Sequence, residues 1–120
     1  MREIKFRGQR RKSSNWVYGG FERYNADVVM VDGFIVVQET VGQYTGLKDK
    51  NGAEIYEGDI VNISDFDGGH KIGKVVYSDG ACCYRIYGDL FDYGLGIYQD
   101  DNIEVIGNVY DNSELLEKNV

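Results

Sequence analysis

The stretch Val41–Val61, VGQYTGLKDKNGAEIYEGDIV, reads as a β-hairpin followed by a new strand. Asn51-Gly52 supplies two residues that tolerate positive φ, as a tight type I′ turn requires. Tyr44 and Leu47 lie on one arm, Ile55 and Tyr56 on the other. Glu57-Gly58-Asp59 makes a second turn, and Ile60-Val61-Asn62-Ile63 opens the next strand. The stretch specifies β-structure and carries no catalytic chemistry.

Working outward, short apolar runs alternate with turn residues along the whole chain. Glu3-Ile4-Lys5-Phe6-Arg7 alternates polar and apolar, as a half-buried strand does. Gly8 to Asn15 is polar and reads as a loop. Trp16 to Tyr24 resumes strand character, with Trp16 and Tyr18 on one face and Val17 and Phe21 on the other. Asn25-Ala26-Asp27 is a turn. Val28–Val31 and Phe34–Gln38 are strands split by Asp32-Gly33, a second hairpin signal. Beyond the acidic loop Ser64–Gly69, Ile72–Tyr77 and Cys82–Tyr87 are strands around the turn Ser78-Asp79-Gly80. Cys82, Tyr84 and Ile86 then share a face. Gly88–Gly96 is an aromatic, glycine-rich loop before a short strand near Ile97-Tyr98, and Ile103–Tyr110 is the last strand. Asp111 or Asn112 caps a short helix ending near Lys118, with capping-box spacing from Asp111 to Glu114 and an apolar edge at Leu115 and Leu116. The pattern is all-β with a short C-terminal helix, a barrel or sandwich.

Composition agrees. A chain of 120 residues with 42% hydrophobic residues suits one domain with a moderate core. It contains 16 glycines, 10 tyrosines and no proline, a balance favouring short strands and tight turns. The longest apolar runs are far too short to span a bilayer as a helix. The start, Met-Arg-Glu-Ile-Lys, is too charged for a secretory signal. The adjacent cysteines Cys82 and Cys83, read as strand neighbours, point to opposite faces and have no route to pair with each other. Two free thiols suit a reducing cytoplasm. The net charge of −7 is uneven. Residues 1–24 hold seven Lys or Arg and two acids, a balance of +5. Residues 25–120 hold six basic and 18 acidic residues, a balance of −12. The acidic part repels nucleic acid and anionic lipid at long range.

Few constellations carry chemistry. Asp65-Phe66-Asp67-Gly68-Gly69 resembles a calcium loop, but residue 76 is valine where a bidentate glutamate belongs. Asp100-Asp101 reads as loop. His70, the only histidine, lacks a nucleophile at a known spacing, and no metal or other cofactor is expected. One or other of the two cysteines is expected in the core. Gly88–Gly96 lacks a Lys or Arg to hold a phosphate. Arg7, Arg10, Arg11 and Lys12 are better candidates, since phosphate or carboxylate contacts need several cations on one surface. Trp16, Tyr18 and Tyr24 lie near enough in sequence to stack on bases, although Trp16 also suits the core. The bland alternative is a solvated basic loop that balances an acidic body. Phe66, Phe91 and Tyr93 are the second candidates. Aromatics in such loops either line a groove or fold inward as a plug.

The opening stretch also resembles the signature of the YopX family of bacteriophage and prophage proteins. Three further segments agree: Arg2-Glu3-Ile4-Lys5-Phe6-Arg7-Gly8, Trp16-Val17-Tyr18-Gly19 and Ile103-Glu104-Val105-Ile106-Gly107-Asn108-Val109-Tyr110. Together they cover the whole chain. One departure is Ser113, where the family often has proline after Asn112. The resemblance implies a small SH3-like β-barrel or roll, a phage origin and no activity, because the family's biochemical role is not established. In that frame residues 1–120 are one YopX-like domain, with N-terminal β elements over 1–42, a barrel core over 43–110 and the helix over 111–120. The expected function is a non-enzymatic accessory module in the bacterial host cytoplasm that binds a host or phage protein, with homo-oligomerisation left open. Nucleic-acid binding through the basic segment is the alternative, disfavoured by overall charge. An enzyme with an acidic site at Asp59, Asp65 and Asp67 comes third.

Overall fold

The alternating segment near the N-terminus forms β1 (Phe6–Gln9), which pairs antiparallel with β2 (Trp16–Gly19) and, on its other side, with β6 (Gly42–Lys48). A computed structural model of the chain describes residues 3–64, 68–88, 91–95 and 102–117. The chain divides into two units, Met1–Gly46 and Leu47–Val120.

In the first unit a three-stranded antiparallel sheet of β3 (Phe21–Arg23), β4 (Val29–Val31) and β5 (Phe34–Val36) accompanies β1, β2 and β6. Alternation along β4 and β5 buries Val29, Val31 and Val36 completely, and Phe6, Val17 and Val41 pack against them. Each such valine removed from water stabilises the unit by about 1.5–3 kcal/mol. The expected strand Trp16–Tyr24 breaks at Gly19-Gly20, where the chain turns from one sheet into the other. Asp32 donates its N–H to Gly20 O at this corner (3.0 Å). The Asp32-Gly33 hairpin forms as read, with φ of 51° and 80° and Val31 opposite Phe34. The Asn25–Asp27 turn also forms, closed by the Asn25 side chain accepting from the N–H groups of Asp27 and Val28 (2.8 and 2.9 Å). The strand expected over Phe34–Gln38 ends at Val36, and a 3₁₀ turn occupies Gln38–Thr40.

The second unit holds β7 (Glu54–Tyr56), β8 (Asp59–Ser64), β9 (His70–Ser78), β10 (Cys83–Tyr87), β11 (Asp92–Gly94), β12 (Ile103–Asn108) and the helix α1 (Glu114–Glu117). Five strands form one antiparallel sheet in the order β11-β10-β9-β8-β12. Its apolar cluster takes Val61 and Ile63 from β8, Val75 from β9, Ile86 from β10 and Ile103 from β12, with Ile55 and Leu95. Ile106 is the extra residue of a bulge in β12, between the pairs Val105–Val61 and Gly107–Ile60. The structure is thus all-β, built of several antiparallel sheets with a short C-terminal helix, and among the described residues no sheet closes into a barrel.

Two turns differ from expectation. The hairpin before β7 is not type I′. Gly52 N–H bonds Asp49 O (3.0 Å), Asp49 N–H bonds Ala53 O (2.8 Å), and only Gly52 has positive φ, at 82°. This is a type I turn at Lys50-Asn51 closed by a glycine bulge. Asp49 selects it, because its Oδ1 accepts from the N–H of Asn51 and of Ala53, both at 2.9 Å. The second difference concerns Cys82. It lies in the turn between β9 and β10 with φ 54°, outside the strand and exposed, and Cys83 is only half-buried. Neither cysteine belongs to the core. The strand expected near Ile97-Tyr98 and the pair Asp100-Asp101 lie outside the described residues.

Candidate macromolecule-binding surface

Register, not a flexible loop, places the basic segment. Val37 donates its N–H to Gln9 O (2.9 Å) and Arg11 donates to Ile35 O (3.2 Å), so Arg10 stands opposite Val36 beside β5. The chain is then folded back by Ser14 N–H to Arg10 O (3.1 Å) and Arg10 N–H to Asn15 O (2.8 Å). Residues 10–12 therefore run beside β5 towards the tip of the β4–β5 hairpin. Arg10, Arg11, Lys12, Gly33, Phe34 and Ile35 line a groove of about 310 Å³. Its floor is apolar: Phe34 is 40% exposed and Ile35 is 45% exposed. The Arg10 guanidinium lies 4.5 Å from the centre of the Phe34 ring. Arg11 reaches a backbone oxygen, Asp27 O, through Nη2 at 3.4 Å. Among the described residues no carboxylate forms an ion pair with Arg10, Arg11 or Lys12.

The other basic candidate does not join them. Arg7 is 6% exposed, and its guanidinium packs 4.8 Å from the centre of the Trp16 ring. Both side chains serve the packing of β1 on β2. Tyr18 and Tyr24 are exposed. Phe34 and Ile35, which make the groove floor, were read from sequence only as strand residues. Their signal was the preceding Asp32-Gly33, since residues flanking a hairpin tip lose neighbours on one side.

Among the aromatic candidates, Phe91 and Tyr93 stack on each other with centroids 5.0 Å apart and pack against the apolar cluster of the second unit. Phe91 lies directly over the backbone of Gly88, where a Cβ would fall within the ring. Phe91 thus folds inward. The Lys71 ammonium sits 5.5 Å from the centre of the Tyr93 ring and donates to its hydroxyl at 3.4 Å. Beside them Arg85 Nε donates to Asp92 Oδ1 (2.5 Å), and this bond, followed by a contact with Cys83, raises the guanidinium pKa above its ordinary value. Phe66 lies outside the described residues.

Of the three acidic candidates, only Asp59 lies within the described residues. Asp59 is 1% exposed, and its Oδ2 accepts the Tyr56 N–H at 2.7 Å, closing the turn into β8. Asp65 and Asp67 lie outside the described residues. A carboxylate that sequence reading passed over, Asp49, is 4% exposed and also structural: its Oδ2 accepts from Val105 N–H at 2.9 Å. His70 is exposed, with Nδ1 3.3 Å from the Asn62 amide nitrogen. Among the described residues no three His, Cys, Asp or Glu side chains group as metal ligands. No described helix is long and apolar enough to cross a membrane.

Comparison with known proteins places the chain. The family described as "YopX protein" matches residues 3–117. The chain belongs to the YopX family. It is a phage or prophage protein by that membership. One solved structure, the crystal structure of protein EF1440 from Enterococcus faecalis, is similar to it with a TM-score of 0.60 and 23% identity, covering 97% of this chain and 99% of that one. At that identity the likeness concerns the fold alone. No curated protein matches significantly. The YopX match includes both β1 and the groove-lining residues 10–12 and 33–35.

Proposed function

We propose that this YopX-family chain is a non-enzymatic accessory module that binds a host or phage protein through the groove beside Arg10, Arg11 and Lys12. One observation carries the reading: three cations without carboxylate partners among the described residues share a groove with exposed Phe34 and Ile35, in a chain of net charge −7. Exposed apolar side chains rimmed by charge are what a docking site requires. The acidic-enzyme reading loses support, because Asp59 is buried and hydrogen-bonded within its own turn. Nucleic acid stays the second reading, favoured by the clustered arginines and opposed by the −12 balance of residues 25–120.

Two finer readings belong here. We read the second unit as an SH3-like roll, supported by an apolar cluster that draws on β8, β9, β10 and β12 with Tyr93 of β11 packed against it. We read the protein as cytoplasmic, supported by two free thiols, one of them exposed. The binding reading is tested by affinity capture from phage-infected host cells with the parent and an R10E/R11E/K12E variant. A captured protein that the variant loses, at unchanged melting temperature, is the expected result. Identical capture by both would refute it.

A further inference from the structure

We propose that the groove at residues 10–12 and 33–35 takes an acidic peptide segment of the partner, with an apolar side chain set on Phe34 and Ile35 and carboxylates at Arg10, Arg11 and Lys12. This rests on the protein-binding reading above and names the chemistry of its ligand. The groove of about 310 Å³ holds one large side chain, and its floor offers Phe34 and Ile35 but no hydrogen-bonding side chain. All its charge is positive and lies along one wall, on consecutive residues fixed to β5 by the Arg11–Ile35 backbone bond. A ligand that fills it must therefore carry an apolar group flanked by anions.

Single-stranded nucleic acid meets the charge but not the floor. Base stacking needs a free aromatic face. Phe34 is the one aromatic ring lining the groove, so successive bases would find no row of rings to stack on. Ile35 gives no stacking surface. The remaining charge argues the same way. Residues 25–120 carry −12, so each added phosphate on a long polyanion adds repulsion. A short peptide presents its few carboxylates only at the cations. A further copy of this chain also has acidic apolar segments, and it is an explicit arm of the test.

The probe is a short synthetic peptide alternating glutamate and leucine, titrated into the full chain and followed by backbone amide NMR shifts. Shifts centred on Arg11, Lys12, Phe34 and Ile35 are expected. Replacing Arg11 and Lys12, both exposed, as R11E/K12E should weaken the peptide about tenfold or more, as loss of two interfacial charge pairs does. Ile35→Ser should weaken it as well, at unchanged melting temperature, because Ile35 faces solvent. Equal binding by a peptide with serine in place of leucine would overturn the apolar anchor. Tighter binding of oligothymidylate at the same residues would assign the groove to nucleic acid. Self-association that R11E/K12E abolishes would assign it to a second copy. Absence of peptide binding, with capture from host cells still sensitive to R10E/R11E/K12E, would sink the acidic-peptide inference and leave protein binding standing. Insensitive capture would sink both.

Discussion

Asp49 accepts three backbone hydrogen bonds, from Asn51, Ala53 and Val105, each at 2.9 Å. Two of them shape the turn and the third ties it to β12, so one buried carboxylate sets both a local conformation and a contact 56 residues away. Asp49→Ala should cost about 3 kcal/mol or more, since each orphaned buried donor costs about 1–3 kcal/mol. Asp49→Asn, which keeps a carbonyl acceptor, should cost less. Urea midpoints of the two variants check the order, and equal midpoints would contradict it. At Gly52, φ is 82° and a Cβ would meet nothing within 4 Å, so any penalty there is conformational. Gly52→Val should cost about 1–3 kcal/mol for a β-branched residue held at positive φ. An unchanged melting temperature would contradict that. The sequence showed that the chain turns here and that Gly52 is special. It did not show which turn forms, because the choice between type I′ and a bulged type I turn is made by the Asp49 side chain. That carboxylate finds its third donor only when β12 is in place.

Turns at the element scale follow the same division between local and distant causes. Asp32-Gly33 was legible because two consecutive positive-φ residues between apolar runs leave few alternatives. Gly19-Gly20 carries a break signal of its own, but the change of sheet it marks is set only when β3 pairs with β4. Just before β11, Phe91 seats on Gly88, and a Cβ there would require the ring to move. Gly88→Ala should destabilise the second unit by about 1–3 kcal/mol, the usual cost of overpacking. In a G88A/F91A double variant the two costs should not add, since the clash disappears with the ring. Full additivity in thermal melts would show that the seat is not the cause. The β9–β10 turn gives a kinetic prediction. Cys82 is exposed and Cys83 half-buried, so a thiol reagent should label Cys82 first in the native protein and both after denaturation without reductant. Finding no free thiol after denaturation would reveal an oxidised pair.

Across the whole molecule, charge was the most legible property, and the groove it marks was the least complete. Arg10, Arg11 and Lys12 stand out in the sequence as a run, and the structure keeps them on one wall. Arg7 belongs to the same run by composition, yet strand parity turns it into the packing beside Trp16. Phe34 and Ile35 are legible from the sequence only as residues flanking a hairpin tip, because the floor they make depends on where residues 10–12 end along β5. The same charge map decides how this chain meets duplex DNA. Three cations engaging three phosphates would release few counterions, giving a log–log salt slope of at most about −3. Against that attraction stands the −12 balance of residues 25–120. At low salt, about 10 mM, screening extends to roughly 30 Å and that repulsion acts at its fullest. At physiological salt the screening length falls to about 8 Å, which weakens the repulsion and the three attractive contacts together. Neither regime favours a duplex. Random duplex should therefore show no gel shift with protein at about 10 µM in physiological salt, near the range where ordinary non-specific binders do bind. Lowering the salt should gain little, unlike the steep gain of a uniformly basic protein. Sub-micromolar binding that R10E/R11E/K12E abolishes would mean that local contacts outweigh the acidic balance, and the groove would then be a phosphate site.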